Sequence, residues 1–258
     1  MTTTKQHVLP VYDHRRGTGP TLVFLHYWGG SAHTWNLVTD LLDGRDVLTV
    51  DFRGWGRSRS LAGPFTLRQL ADDTLAVIAD AGVTDYVLVG HSMGGKVAQL
   101  VAATRPAGLR GLVLVGPGPA KPAAEITPEY QDGLSHAYDS EESTAAARDH
   151  VLTATPLPEE IKAQIAADSR ASAEAARTEW PLHGIAEDVS AHTLLVNVSV
   201  LVVAGENDHV EPPEVLRHNL LPYLSGAEFT VIPNTGHLIP LEAAAELTAA
   251  ITAFAPLT

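Results

Sequence analysis

Tyr86-Val87-Leu88-Val89-Gly90-His91-Ser92-Met93-Gly94-Gly95 is a short apolar run that ends abruptly in Gly-x-Ser-x-Gly and leads into an Ala-rich helical segment. A strand that reverses into a helix this sharply needs small flanking residues, because a Cβ at Gly90 or Gly94 would collide with neighbouring backbone. Such a turn lifts the Ser92 hydroxyl clear of the sheet. It also sets that hydroxyl near the free N–H groups and positive dipole end of the following helix, where developing negative charge is favoured. Ser92 is therefore the candidate nucleophile of an acyl-transfer site. The five-residue pattern also occurs by chance in glycine turns, so the reading depends on partners elsewhere in the chain.

Working outward, β-branched apolar runs bounded by turn residues recur at residues 21–25, 47–50, 86–89, 112–115, 199–204 and 228–232, and each predicts a buried parallel strand. Residues 7–14 predict an edge strand with weaker alternation. Apolar residues spaced by three and four predict helices over 67–81, 93–104 and 241–254. Strand alternating with helix predicts an α/β fold, with a mostly parallel central sheet and helices on both faces. The alternation breaks after Val115. Residues 117–186 carry helix formers and prolines but few β-branched runs, and predict a helical cap inserted into a core of residues 1–116 and 187–258. Within it the helices fall at 127–138, 141–153, 157–168 and 171–180, the third opened by Pro158 in its first turn.

The 258 residues, 45% of them hydrophobic, suit one such domain with an insertion, and no apolar run approaches the length needed to span a bilayer. Residues 1–7 lack the basic start and apolar core of a secretory signal, so the expected location is cytoplasmic. The absence of cysteine removes disulfides and thiolate chemistry together. A net charge of −13, with scattered Lys and Arg, weighs against nucleic-acid and membrane partners. His209 adjoins Asp208, but His-x-x-x-His and cysteine clusters are both missing, so neither a metal nor a cofactor is expected. Asn197-Val198-Ser199 fits a glycosylation acceptor yet abuts an apolar strand, and reads as structural.

An acid and a base for Ser92 must come from other loops at the same carboxyl-terminal edge of the sheet. After the strand at 199–204 comes Gly205-Glu206-Asn207-Asp208-His209, where Asp208 stands just beyond the strand end and Glu206 competes with it. After the strand at 228–232 comes Pro233-Asn234-Thr235-Gly236-His237, and His237 ahead of the last helix is the candidate general base.

Taken together, Gly90-His91-Ser92-Met93-Gly94, the post-strand Asp208 and the late Gly236-His237 resemble the α/β-hydrolase fold superfamily, in its chain order of nucleophile, acid and histidine. The resemblance lies nearest the serine esterase and cofactor-free haloperoxidase-like branch. Leu25-His26-Tyr27-Trp28-Gly29-Gly30-Ser31 is similar to the family's oxyanion loop, and Asp51-Phe52-Arg53-Gly54-Trp55-Gly56-Arg57-Ser58 to its Asp-x-Arg-Gly-x-Gly-x-Ser segment. In some members the acid follows the preceding strand, but Val115-Gly116-Pro117-Gly118-Pro119 offers no carboxylate, which favours Asp208. The resemblance implies an oxyanion hole from the backbone N–H groups of Trp28 and Met93. Tyr27 departs from the pattern by standing where glycine is usual; the Trp28 side chain is then an alternative wall of the acyl pocket. His26, His91, Asp51 and Arg53 read as packing residues around the site. Trp55, Tyr130, Tyr138 and Trp180 either border the pocket or fill the cap interface.

The implied activity is that of a cofactor-free serine hydrolase cleaving small to medium carboxylic esters through an acyl-enzyme, with a small-molecule ester or lactone as partner. Serine at the elbow disfavours the epoxide hydrolase and dehalogenase chemistry of relatives that carry aspartate there. Lactonase, perhydrolase or haloperoxidase-like and carbon–carbon hydrolase reactions use the same residues. A small-molecule receptor on the same scaffold is the rival from another class.

Overall fold

The structure, a computed structural model, describes residues 8–257. Its strands are β1 (Tyr12–Arg15), β2 (Thr18–Leu25), β3 (Arg45–Val50), β4 (Tyr86–His91), β5 (Leu109–Val115), β6 (Ser199–Gly205) and β7 (Glu228–Ile232). They form one sheet in the order β1-β3-β2-β4-β5-β6-β7, parallel throughout except where β1 meets β3. The expected edge strand at 7–14 is realised over 12–15 as this antiparallel edge, and His7 lies outside the described residues. With one face open, β1 alternates in burial, whereas β4 is buried along its whole length.

The helices are α1 (Asn36–Asp40), α2 (Leu67–Asp80), α3 (Met93–Ala103), α4 (Pro128–Ser135), α5 (Glu141–Ala147), α6 (Glu159–Ala171), α7 (Glu174–Leu182), α8 (Ser190–Thr193), α9 (Pro213–Asn219), α10 (Ile239–Glu242) and α11 (Ala244–Phe254). Successive side chains of a strand face opposite ways, and here both ways lead into apolar cores. Val23, Leu25, Leu88 and Leu114 pack with Leu70 and Val77 of α2 and Val97 of α3. Leu22, Phe24, Val89 and Val113 pack on the other face with Val38 of α1 and Leu247 and Ile251 of α11. Each fully buried Leu or Val contributes about 1.5–3 kcal/mol relative to exposure, which pins the sheet between its helix layers. The architecture is the expected α/β one.

Between β5 and β6 the chain is helical, running through α4 to α8. Local departures from the expected boundaries have local causes. Residues 141–153 do not form one α-helix: after α5 the backbone widens into a π-turn at Arg148–Leu152, with the Thr153 N–H donating to the Arg148 carbonyl. Pro158 is extended, with ψ 148°, so it caps α6 from outside rather than occupying its first turn. The closing helix is interrupted at Ala243, where φ −139° and ψ 46° separate α10 from α11. Among the described residues no helix is long and apolar enough to cross a membrane.

Candidate active site

β4 runs into α3 through a single residue, Ser92, whose φ of 53° and ψ of −117° lie in a region that side chains rarely adopt. Such strain persists only where the surroundings over-determine it. The Ser92 N–H donates to the Val115 carbonyl at 3.0 Å, and the Ser92 carbonyl accepts from the N–H groups of Gly95, Lys96 and Gly118. The glycines are needed for space. A Cβ on Gly94 would stand 2.5 Å from the Leu25 carbonyl oxygen and 2.6 Å from that of His26, and one on Gly90 would run into the Gly94 carbonyl.

Three loops at the carboxyl-terminal edge bring their side chains together. The Ser92 Oγ lies 2.9 Å from His237 Nε2, and His237 Nδ1 lies 2.8 Å from Asp208 Oδ2, with all three residues buried. Burial alone would raise the Asp208 pKa, but the neighbouring His237 and the N–H groups of Glu211 and Val210 on Oδ1 outweigh it and hold the carboxyl below its ordinary value. A carboxylate can only accept, so Nδ1 carries the proton and Nε2 is left to accept from the Ser92 hydroxyl. The competing Glu206 is turned away. Its Oε2 accepts the N–H of Asn234, a residue at φ 55°, and so braces the turn that leads to His237.

His237 is further held by backbone from both sides. Its N–H donates to the Leu152 carbonyl at 2.9 Å, so the π-turn after α5 reaches back to the histidine loop. Its carbonyl accepts from His91 Nε2 at 2.8 Å. Burial and the adjacent His237 push the His91 pKa down to about 3, which keeps that imidazole neutral and a donor at this nitrogen. His26 acts likewise one loop away: Nδ1 donates to the Tyr27 carbonyl at 2.6 Å, and Nε2 accepts the Phe52 N–H at 3.1 Å. Arg53 pairs with Asp73, Asp51 accepts the Ala32 N–H, and Trp55 Nε1 donates to the Trp28 carbonyl. The Asp-x-Arg-Gly segment thus lies beneath the loop at residues 26–31 and braces it.

Above Ser92 and His237 opens a cavity of about 350 Å³ with a largely apolar lining. That size falls within the usual range for small-molecule pockets. Trp28 contributes its side chain to the wall, stacked 4.4 Å from Tyr138 and donating from Nε1 to the Arg177 carbonyl. Tyr138, Tyr130 and Trp180 join the lining, whereas Trp55 is buried below it. Tyr27 needs no left-handed backbone; it is buried and its ring packs 5.3 Å from His91. Met93 is the first residue of α3, so its N–H has no partner within the helix. Among the described residues the Trp28 N–H is also unpaired. The same residues hold no group of three or more side chains suited to a metal ion.

Two features of the site escaped the sequence. The Leu152 carbonyl is backbone, which no residue pattern announces. Glu211 lines the cavity as a buried carboxyl group, and its only sequence signal was a charge in the proline-flanked stretch His209-Val210-Glu211-Pro212.

Over 108 residues, 42% of this chain and 40% of the relative, the sequence is 38% identical to the pimeloyl-[acyl-carrier protein] methyl ester esterase of Citrobacter koseri. The matched part is about two fifths of the length of such curated relatives. An esterase from Exiguobacterium antarcticum superposes with a TM-score of 0.85 at 21% identity, covering 95% of this chain and 94% of that one. A bromoperoxidase from Bacillus anthracis gives the same TM-score, 0.85, at 18% identity, covering 94% of each chain. A model of the alpha/beta hydrolase family matches residues 22–251, nearly the whole chain, and the protein belongs to that family.

Proposed function

We propose that this hydrolase is a serine esterase that cleaves carboxylic esters of small to medium size through an acyl-enzyme. The observation that carries the reading is the hydrogen-bonded chain from the Ser92 Oγ through His237 to Asp208 at the floor of an apolar cavity. The methyl ester esterase among the relatives supports the same bond type. In the proposed reaction the Ser92 oxygen attacks the ester carbonyl carbon while His237 Nε2 takes the hydroxyl proton, and the tetrahedral oxyanion is stabilised by the N–H groups of Trp28 and Met93. Collapse breaks the bond to the alcohol oxygen, which leaves with the proton from His237. Water then adds to the acyl carbon, again losing a proton to Nε2, and the acid departs as Ser92 regains its hydrogen. Asp208 keeps the imidazole in the correct tautomer and stabilises its charged form. Residues 117–186 serve as the cap that shapes the acyl and alcohol pockets.

The test combines intact mass after treatment with a fluorophosphonate and turnover of p-nitrophenyl esters from acetate to decanoate. Wild type is expected to gain one adduct at Ser92 and to turn over the short esters. Ser92→Ala should gain none and lose about a million-fold in kcat. Near-normal turnover by Ser92→Ala removes the serine from the mechanism. An adduct without ester turnover moves the substrate to a lactone or a carbon–carbon bond.

A further inference from the structure

Glu211 is placed where neither the fold nor the proposed reaction needs a carboxyl group. It is 5% exposed, its backbone N–H donates to Asp208 Oδ1, and its side chain lines the cavity that contains Ser92 and His237. Together with Tyr130, Ile185 and Val210 it also lines an adjoining cavity of about 290 Å³ that extends toward Pro119 and Pro212. The Glu211 carboxyl group therefore stands between two cavities that share a wall. Among the described residues nothing hydrogen-bonds to it. A carboxyl group that faces a cavity and has no protein partner loses its solvent when a ligand fills that cavity, which is costly unless the ligand itself supplies a partner.

The charged and titratable groups around it and along the two cavities are Asp208, His209 and His237 from the loops after β6 and β7, Lys96 from α3, Glu125 from the segment before α4, Glu129 and Tyr130 from α4, and Tyr27 and Tyr138. Burial first, and the Asp208 carboxylate second, hold the Glu211 carboxyl well above the usual carboxylate range against the attraction of Lys96. A protonated carboxyl group is an O–H donor, whereas an ionised one only accepts. Most other side chains that line the main cavity are apolar or aromatic.

We infer that Glu211 is a specificity residue that donates a hydrogen bond to a second oxygen of the substrate, so that the preferred substrates are esters or lactones with an additional carbonyl oxygen. This rests on the esterase reading of the same site and deepens it. Plain hydrocarbon chains fill the apolar walls equally well but leave the carboxyl group unpaired, and a site built around a buried polar group discriminates against ligands that cannot satisfy it.

The experiment compares chain-matched ester pairs with and without a ketone oxygen, placed in the acyl chain in one pair (4-oxopentanoate against pentanoate) and in the alcohol in the other (4-oxopentyl against pentyl acetate). The quantity read is the ratio of kcat/KM, oxo over plain, in wild type, Glu211→Gln and Glu211→Leu. Wild type is expected to favour the oxo ester in at least one pair, and Glu211→Leu to lose that preference by about tenfold, the worth of one hydrogen bond. Glu211→Gln, which retains an N–H donor, keeps it. Should Glu211→Leu fail to fold, the pH arm decides: the wild-type ratio falls as Glu211 ionises, while that of Glu211→Gln stays level. A ratio near one for wild type in both pairs, an unchanged ratio in Glu211→Leu, or parallel pH profiles for wild type and Glu211→Gln each overturn the inference. Absence of a fluorophosphonate adduct on Ser92 overturns the esterase reading instead, and the two failures are therefore distinguishable.

Discussion

A methyl group at Gly94 would stand 2.5 Å from the Leu25 carbonyl oxygen, so Gly94→Ala must push the elbow away from β2. That substitution is expected to cost about 1–3 kcal/mol by overpacking. Because a displacement of roughly 1 Å moves the Ser92 hydroxyl away from His237, kcat/KM on esters should fall about a hundredfold under the proposed reaction; ester kinetics alongside urea unfolding would check both. The two carboxylates after β6 differ in the same decisive way. Asp208 Oδ2 is 2.8 Å from His237, whereas Glu206 braces Asn234. Asp208→Asn should lower kcat about ten-thousand-fold by favouring the wrong tautomer. Glu206→Gln, at the surface, should change it by no more than about twofold. Equal losses in the two variants would show that the acid has been misassigned. The sharp turn at Ser92 and its glycines were legible because such a strand-to-helix reversal is local chemistry, written within five residues. Glu211 was not, since its surroundings come from α3, α4 and the loop after β6 and are assembled only by folding.

Elements couple where the π-turn after α5 meets the loop that carries His237. The Leu152 carbonyl, exposed by the π-turn, accepts the N–H groups of both His237 and Leu238. Nearby, Glu242 Oε2 of α10 accepts from the Ala154 and Thr155 N–H groups and the Thr155 hydroxyl at 2.8, 3.0 and 3.1 Å. A carboxylate that satisfies three donors ties Ala154 and Thr155 to the helix that follows His237. Glu242→Ala is expected to lower stability by about 1.5–3 kcal/mol, in keeping with loss of charge-assisted hydrogen bonds. Amide exchange at Ala154 and Thr155 should quicken, and kcat should fall because the His237 loop loses its clasp. Unchanged exchange at those two amides would mean that the contact does not hold this segment. The π-turn itself was invisible in a sequence whose periodicity reads as one continuous helix over 141–153, because helix periodicity does not register one added residue per turn.

At the scale of the whole molecule, Lys96 links α3 to the helical stretch between β5 and β6. It is fully buried on α3 and donates from Nζ to the carbonyls of Gly184 and Ile185 at 3.1 Å each. Burial pushes its pKa down to about 8, against the pull of neighbouring carboxylates such as Glu187 and Asp188. The folded protein therefore releases this proton at lower pH than the unfolded chain, and the unfolded chain holds more protons between about pH 8 and 10.5. Stability must rise with pH across that window, since the cost of the buried charge is felt in full below it and is relieved above. Relative to Lys96→Met, wild type should gain roughly 3 kcal/mol between pH 7.5 and 10.5 in urea unfolding; parallel curves would mean that the folded-state amine titrates normally. By itself the sequence determined the alternation of strands and helices, the sharp turn at Ser92, and the placing of Asp208 and His237 just past the strands at 199–204 and 228–232, because side-chain period and turn chemistry act over a few residues. Only the tertiary structure decided that β1 pairs antiparallel with β3, that Asp208 rather than Glu206 meets His237, and that Leu152 and Glu211 reach a site centred on Ser92. Those outcomes depend on closing the chain over long separations, 145 residues from Ser92 to His237, and the geometry of such closure is set by packing between layers.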